Sequence, residues 1–250
     1  LRSGDRAMPE EINRILTDQL SDLLFTTEAE AEANLVREGI DRSRVHFVGN
    51  VMIDSLRHNL ARAVPAAQTL ARLDPPLSAG GDFGLLTLHR PSNVDEQEVL
   101  ASLLNVLADI SAELPLVFPV HPRTRGRIDA SGWSDRLAKS RIHLCEPLGY
   151  HEMLGVMRDS KVVFTDSGGL QEETTALGVP CVTLRHNTER PITVTEGTNT
   201  IVGTDPQRIM AAYQDIRSSG GKAGRIPSLW DGQAAERIAG VLGRWLHDSN

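Results

Sequence analysis

The segment from Thr165 to Glu173 carries the clearest chemical signal in this sequence, because it places Asp166, Ser167, Gly168 and Gly169 between an apolar run and a helical pattern. Small residues there let backbone N–H groups approach an anion, and the positive end of the helix dipole adds to the attraction. The segment predicts a phosphate or diphosphate site. It lacks the G-x-G-x-x-G spacing of a dinucleotide site, so a structural turn explains it equally well.

Histidine and arginine follow three other apolar runs. His89 and Arg90 follow Leu85 to Leu88, His121 follows Leu116 to Val120, and Arg190 lies shortly after Cys181 to Leu184. An imidazole transfers protons near neutral pH, and a guanidinium binds phosphate oxygens. Each side chain also has an ordinary structural explanation, as a hydrogen-bonded histidine or a surface ion pair.

Three glutamates open predicted helices. Glu10 and Glu11 follow Pro9, and Glu173 lies shortly after the glycine pair. Acidic residues in a first turn stabilise the helix dipole, which is the simpler explanation for all three. Glu172 precedes Glu173, and one of these two carboxylates could instead accept hydrogen bonds from ribose hydroxyls.

The elements that must position these residues alternate along the chain. Short apolar runs separated by amphipathic helices predict a parallel sheet covered on both faces, the doubly wound α/β fold. In such sheets ligands bind outside the carboxyl ends of the strands. The predicted strands are Val45 to Val48, Leu85 to Leu88, Leu116 to Val120, Ile142 to Leu144, Val162 to Phe164, Cys181 to Leu184 and Thr200 to Val202.

Helix boundaries follow from capping patterns. The pattern predicts a helix from Pro9 whose apolar face reaches Leu24, and a second helix that begins with a Thr27 and Glu30 capping box. Asp95 and Glu98 predict the start of another helix, and Pro206 follows Asp205 at the start of a later one. The last helix is expected over residues 233–246, packing across other structure.

The composition and net charge of the chain limit the kinds of molecule that it is expected to bind. The chain has 250 residues, 40% hydrophobic and 24% charged, with a formal net charge of −7. Such a charge argues against general affinity for nucleic acid or an anionic membrane. No apolar run approaches the ~20 residues that span a bilayer, and no signal peptide pattern appears, so we expect a cytoplasmic protein. Cys145 and Cys181 lie in apolar runs and are expected to be free thiols.

Several segments together resemble the non-hydrolysing UDP-N-acetylglucosamine 2-epimerases, and they occur in the family's order across nearly the whole chain. They are Leu1 to Arg14, Gly49-Asn50 with Asp54, Thr87 to Arg90, Pro119 to Pro122, Asp166 to Glu173, Thr188 to Pro191 and Glu196 to Thr198.

The resemblance implies two Rossmann-like domains that face a cleft, as in B-type glycosyltransferases, and a homodimer. It implies a reaction without an added cofactor or metal, in which UDP leaves UDP-N-acetylglucosamine to give 2-acetamidoglucal and then adds back. The substrate is expected to be that UDP-sugar or a related one. Pro91-Ser92 differs from the charged residues common in the family, which weakens the inference of an activator site.

The resemblance also implies residue roles. Glu10 and His89 would be catalytic or sugar-positioning, and the order of their proton transfers stays open. The segment from Ser167 through Gly168 to Gly169 would hold the diphosphate, Glu173 the ribose and Arg190 the nucleotide. A second group matches positions that contact an activating substrate molecule in some bacterial members, namely Glu11, Arg90 and His121.

The expected domain organisation has four parts. Residues 1–55 would be the end of an amino-terminal domain, 56–84 a linker, 85–227 the nucleotide-binding domain and 228–250 a helix that packs back. Because the chain starts inside a family motif, we expect it to lack most of the amino-terminal domain and to bind substrate poorly alone.

Three other functions fit parts of the pattern. A nucleotide-sugar glycosyltransferase of the same fold would also hold a nucleotide diphosphate. A hydrolysing 2-epimerase would release UDP and free N-acetylmannosamine. A nucleotide-binding fragment without catalysis would bind but not turn over.

Overall fold

The computed structural model of the chain describes residues 1–78 and 80–248. Helices and strands alternate through most of it. In chain order they are α1 (Pro9–Leu20), β1 (Leu24–Thr26), α2 (Glu30–Arg37), β2 (Val45–Phe47), α3 (Val51–Leu60), α4 (Ala66–Leu70), β3 (Gly84–Thr87), α5 (Pro91–Val94), α6 (Gln97–Ser111), β4 (Leu116–Pro119), α7 (Pro122–Ala130), α8 (Ser134–Leu137), β5 (Ile142–Cys145), α9 (Tyr150–Asp159), β6 (Val162–Thr165), α10 (Gly168–Leu177), β7 (Cys181–Thr183), α11 (Pro191–Thr195), β8 (Asn199–Ile201), α12 (Pro206–Ser219) and α13 (Ala234–Asp248).

The larger sheet has six strands in the order β5-β4-β3-β6-β7-β8, and every neighbouring pair is parallel. The order reverses between β3 and β6, which makes their carboxyl ends the topological switch point where doubly wound folds bind ligands. All seven predicted strands are present, and no boundary is shifted by more than one residue. The predicted α/β class with parallel sheets is confirmed.

Apolar side chains cover both faces of this sheet. Alternate residues of β3 point to opposite faces, so Leu86 packs with α6 and α12, while Leu85 packs with α3 and α9. Both leucines are fully buried, and burying one such side chain contributes about 1.5–3 kcal/mol. Burial on both faces explains why these strands are continuous apolar runs.

The smaller sheet pairs β1 with β2 in parallel near the amino terminus. Two boundary predictions are wrong here. Leu24 starts β1 and is not part of the first helix, which ends at Leu20. The Thr27 capping box does not form either, since α2 begins at Glu30 with Ala29 as its N-cap and no side-chain cap. A small core of Leu24, Leu35 and Ile40 holds this sheet against α2.

Residues 56–84, expected to be a linker, contain ordered structure. The boundary expected after residue 55 falls inside α3, whose Ile53 and Leu56 both pack on the larger sheet. The segment also forms α4 and buries Leu70 and Leu73 in the same core. Its Pro and Gly content therefore marks turns between helices as well as surface chain.

One predicted cap forms and one does not. The Asp205 carboxylate accepts hydrogen bonds from the amides of Gln207 and Arg208 and caps α12. Helix α6 instead begins at Gln97 without a side-chain cap. The Asp95 carboxylate forms ion pairs with Arg123 and Arg127 of α7 and does not cap α6.

The last helix, α13, packs on α3, as expected of a segment that crosses other structure. Its start is capped by another element, since Asp54 of α3 accepts hydrogen bonds from the amides of Ala234 and Ala235 at 3.1 and 2.7 Å. Just before it, fully buried Trp230 donates to the Thr27 carbonyl at 2.9 Å. These contacts join the two sheets.

Gly155 lets α9 approach the chain at Val64, so replacing it by alanine should destabilise the protein by about 2 kcal/mol. A Cβ at this position would come within 1.7 Å of the Val64 carbonyl oxygen, which is backbone. The clash outweighs alanine's higher helix propensity of about 1 kcal/mol. Urea unfolding measures the change in the free energy of unfolding.

Gly126→Ala is the matched control, because Gly126 lies in α7 and a Cβ added there would meet no atom within 4 Å. It should stabilise the protein by about 0.5–1 kcal/mol. Similar stability for both variants would contradict the close approach of α9 to Val64.

Candidate active site

The switch point brings His89 and Asp166 together. His89 follows β3, and Asp166 directly follows β6, the neighbouring strand. The Asp166 carboxylate is fully buried and accepts hydrogen bonds from the amides of His89 and Arg90, at 3.0 and 2.9 Å, and from the side chain of Asn93 at 3.2 Å. It therefore ties the loop after β3 to the end of β6.

The His89 ring completes this arrangement. Its Nδ1 lies 2.7 Å from Asp166 Oδ1, and 49% of its side-chain surface is exposed. Burial acts to raise the pKa of Asp166, but hydrogen bonds from His89 and the Arg90 amide outweigh it and hold that pKa below its ordinary value. A half-exposed imidazole beside an ionised carboxylate is suited to general acid–base chemistry.

The helix α10 starts beside this pair. Ser167 is its N-cap and makes no side-chain cap bond, and Gly168 and Gly169 form its first turn. A Cβ on Gly168 would meet Arg190 Nη1 at 2.5 Å and Glu189 Oε1 at 2.6 Å, whereas one on Gly169 would meet only Met52 Cε at 3.7 Å and Ser167 Oγ at 4.0 Å. A side chain at position 168 would therefore have to displace the ends of Arg190 and Glu189, whereas Gly169 leaves backbone open to an anion.

Three arginines gather around the Glu189 carboxylate. Arg185 Nη2 and Arg190 Nη1 lie 2.9 and 2.6 Å from its oxygens, and Arg90 Nη2 lies 3.7 Å away. Burial acts to raise the pKa of Glu189, but Arg185 and Arg190 outweigh it and lower that pKa to about 2. The cluster places excess positive charge beside the start of α10, where an anionic group would be stabilised.

A second carboxylate links Arg190 to the amino-terminal part of the chain. Arg190 Nε lies 3.0 Å from Glu172 Oε2, close enough for an ion pair, although its N–H does not point at the oxygen. Asn50, buried at the start of α3, donates to the other oxygen of Glu172 at 3.0 Å. The Gly49-Asn50 turn therefore positions the residues around α10.

Glu173 faces a different neighbour. Its carboxylate accepts a hydrogen bond from the Tyr150 hydroxyl at 3.1 Å, and Tyr150 opens α9. Burial raises the pKa of Glu173, and burial together with the Glu173 charge raises the pKa of Tyr150 to about 12. This pair lies at the side of the site formed by α9 and α10.

Three predicted residues are not joined to this group. Glu10 is exposed in the first turn of α1, and within residues 1–78 and 80–248 no hydrogen bond or ion pair joins it to His89. Glu11 is buried, and its oxygens accept from the amides of Ser3 and Gly4 and pair with Arg14. His121 is exposed and caps α7 through Nδ1. Glu11 thus holds the loop before α1, and His121 starts α7.

Glu28 is a buried acid that sequence reasoning missed. It follows β1, is 1% exposed, and among the described residues neither of its oxygens has a hydrogen-bond partner. Burial and the charges of Glu30 and Glu172 raise its pKa to about 7, despite the opposing amino group of Leu1. No sequence pattern distinguishes it from the exposed acids beside it.

The sequence assigned no role to several other residues of the candidate site. Asp166 ends an apolar run, the position where a carboxylate can reach a neighbouring loop, and was recognisable on that ground. Glu189 lies inside the Thr188 to Pro191 segment and Arg185 precedes it, but their pairing requires the loop after β7 to fold back on α10. Tyr150 depends on the packing of α9 against α10.

Residues 1–243 match the family described as UDP-N-acetylglucosamine 2-epimerase. The chain belongs to this family. A UDP-N-acetylglucosamine 2-epimerase of Methanococcus maripaludis is 40% identical over 222 residues, which cover 88% of this chain and 60% of the relative. A UDP-2,3-diacetamido-2,3-dideoxy-D-glucuronate 2-epimerase of Pseudomonas aeruginosa is 39% identical, covering 98% of this chain and 66% of the relative.

Solved structures of the family agree with the fold. The crystal structure of the Methanocaldococcus jannaschii UDP-GlcNAc 2-epimerase in complex with UDP-GlcNAc and UDP matches with a TM-score of 0.86 and 38% identity. The match covers 98% of this chain and 67% of that one. The chain spans about three fifths to two thirds of the length of the curated relatives. No helix in the described part of the chain combines the length and apolar character needed to cross a bilayer.

Proposed function

We propose that the protein interconverts UDP-N-acetylglucosamine and UDP-N-acetylmannosamine. The C2 proton is removed, UDP leaves C1 to give 2-acetamidoglucal, and a proton returns to C2 on the other face as UDP adds back. The observation that carries the proposal is the His89–Asp166 pair beside the open start of α10 and the arginines around Glu189. This arrangement places a proton-transfer group next to an anion site at the switch point of the larger sheet.

Each part has a chemical role. His89 would serve as one acid–base group and Glu10 as the other or as a sugar-positioning residue. The backbone at Ser167, Gly168 and Gly169 would hold the diphosphate, and Arg190 would stabilise its charge as UDP departs. Glu173 would bind the ribose. Glu11, Arg90 and His121 stay candidates for an activator site.

The remaining proposals rest on the family resemblance. The protein would work in the cytoplasm as a homodimer of two Rossmann-like domains that face a cleft, without an added cofactor. Residues 1–55 would belong to the first domain and residues 85–227 to the nucleotide-binding one, joined by residues 56–84 and crossed by residues 228–250.

Product analysis tests the reaction class. The chain is incubated with UDP-N-acetylglucosamine, alone and joined to the amino-terminal segment of a curated relative, and the products are separated by anion exchange. The proposal expects UDP-N-acetylmannosamine without net release of UDP. UDP with free N-acetylmannosamine would indicate a hydrolysing enzyme, and consumption that requires an acceptor would indicate a transferase. The relative that acts on a diacetamido-glucuronate makes that UDP-sugar the second substrate to assay.

Alanine substitutions at Gly168 and Gly169 should have different effects on thermal stability and on UDP binding. Gly168→Ala should lower both the melting temperature and the affinity for UDP, the latter by about tenfold or more, because the Cβ displaces Arg190 and Glu189. Gly169→Ala should leave the melting temperature nearly unchanged and weaken UDP binding alone. Calorimetric titration and thermal unfolding measure both. Unchanged UDP affinity in both variants would place the diphosphate elsewhere.

A further inference from the structure

Asp166 can only accept hydrogen bonds when ionised, and its surroundings favour that form. The donors that face it are the backbone amides of His89 and Arg90, the Asn93 side chain and the His89 ring. An ionised carboxylate requires a hydrogen on each contacting nitrogen. His89 Nδ1, 2.7 Å away, must therefore carry one.

This contact determines the protonation state of the other ring nitrogen, Nε2. With the hydrogen on Nδ1, the neutral imidazole has an unprotonated Nε2 on the opposite side of the ring. Asp166 is completely buried, whereas the His89 side chain is 49% exposed, so Nε2 lies on the open side of the pair. Among the described residues no hydrogen bond uses Nε2. The ring is thus held with a proton-accepting nitrogen facing outward beside α10.

We propose that Asp166 is a positioning residue, which holds His89 in its Nδ1–H tautomer and presents Nε2 for proton transfer to and from the sugar. The proposal rests on the proposed epimerase function. When Nε2 takes the proton, the imidazolium stays next to the Asp166 carboxylate, which stabilises its charge. The second acid–base group protonates C2 on the other face, and Nε2 then gives its proton to water, which restores the Nδ1–H tautomer. In the reverse direction the two groups exchange roles, and no co-reactant other than water is needed.

A purely structural role for Asp166 predicts different results. Asp166 also links the loop after β3 to β6 through the amides of His89 and Arg90. Asn93→Ala is a suitable comparison, because it removes one donor to the same carboxylate and leaves the His89 Nδ1 contact in place. A structural role would lower activity and UDP binding together in Asp166→Asn and in Asn93→Ala.

The tautomer is measured directly by ¹⁵N NMR of histidine-labelled wild-type protein, with the His89 signals identified by their loss in His89→Gln. At a pH where the ring signals are those of neutral imidazole, we expect a protonated Nδ1 and an unprotonated Nε2. A protonated Nε2, or a mixture of tautomers, would overturn the proposal. This result does not depend on turnover, so a tautomer as expected with no epimerase activity would count against the proposed function alone.

Kinetics complete the test in the chain joined to the amino-terminal segment of a curated relative. Asp166→Asn should lower kcat by about 10- to 100-fold or more, while the dissociation constant for UDP changes by less than about threefold. Asn93→Ala should change kcat far less. Equal losses of kcat in the two variants, or loss of UDP binding in step with kcat, would overturn the positioning role.

Discussion

Replacement of His89 by glutamine is expected to lower kcat for epimerisation by about 10²- to 10⁴-fold, the usual contribution of a general acid or base. Glutamine keeps a polar side chain at the end of β3 but cannot exchange a proton near neutral pH. UDP affinity should change by less than about threefold, because the proposed diphosphate contacts come from α10 and Arg190. Steady-state kinetics and calorimetric titration of UDP measure the two quantities.

His58→Gln is the matched control, since His58 is exposed in the last turn of α3 and takes no part in the proposed site. It should leave kcat within about twofold of wild type. Near wild-type turnover of His89→Gln would remove His89 from the mechanism. A parallel loss of UDP binding would instead assign it to nucleotide recognition.

Replacement of Glu28 by glutamine is expected to stabilise the protein at pH 8 by at most about 3 kcal/mol, the free energy that corresponds to the raised pKa. Burial, with the charges of Glu30 and Glu172, raises the pKa of Glu28 to about 7. The Leu1 amino group stabilises the ionised form only in part, and the Glu28 oxygens have no hydrogen-bond partner among the described residues, so the ionised form stays largely uncompensated. Glutamine keeps the shape and removes the charge.

The direction of this stability change follows from the raised pKa of Glu28. Below the pKa of the unfolded chain, Glu28 is protonated in both states and its contribution to stability is fully present. As the pH rises through about 7, the folded protein must ionise a buried acid, and that stability is lost. Glu28→Gln should therefore differ little from wild type near pH 4 and be more stable at pH 8.

Urea unfolding at several pH values between 4 and 8 measures this difference. Glu98→Gln is the control, because Glu98 is exposed in the first turn of α6 and should show little change with pH. A Glu28→Gln variant that is less stable than wild type to the same extent at pH 5 and pH 8 would contradict the uncompensated burial of this acid.

The larger sheet could be predicted from sequence because its strands are buried on both faces. Continuous apolar runs such as Val162 to Phe164 have no helical alternative of that length between turn residues, and the alternating helices require parallel strands. The strand order was not predictable, since it depends on which neighbour each strand pairs with. That order brings His89 next to Asp166, although the two residues are far from each other in the sequence.

The amino-terminal part was harder to predict. Leu24 continues the three- and four-residue spacing of α1, yet Leu20 ends that helix and Leu24 pairs with Val45 in β1. Strand pairing there overrides helical periodicity. Thr27 fits a capping box by spacing, but the helix begins later, at Glu30.

Part of the candidate site could be proposed from the sequence. Positions after strands identified His89, Arg90 and the Ser167-Gly168-Gly169 turn, because ligand residues of doubly wound folds lie there. The partners that orient these groups come from distant segments. Asn50 reaches Glu172 from the start of α3, which no local pattern could indicate.

Solvent exchange at C2 of the sugar tests the proposed reaction most directly. UDP-N-acetylglucosamine is incubated in D₂O with the chain joined to the amino-terminal segment of a curated relative and followed by proton NMR. Elimination and re-addition predict deuterium at C2 in both epimers and no accumulation of free sugar. A manno product that retains its original hydrogen at C2, or unchanged substrate with the joined protein, would contradict the proposed function.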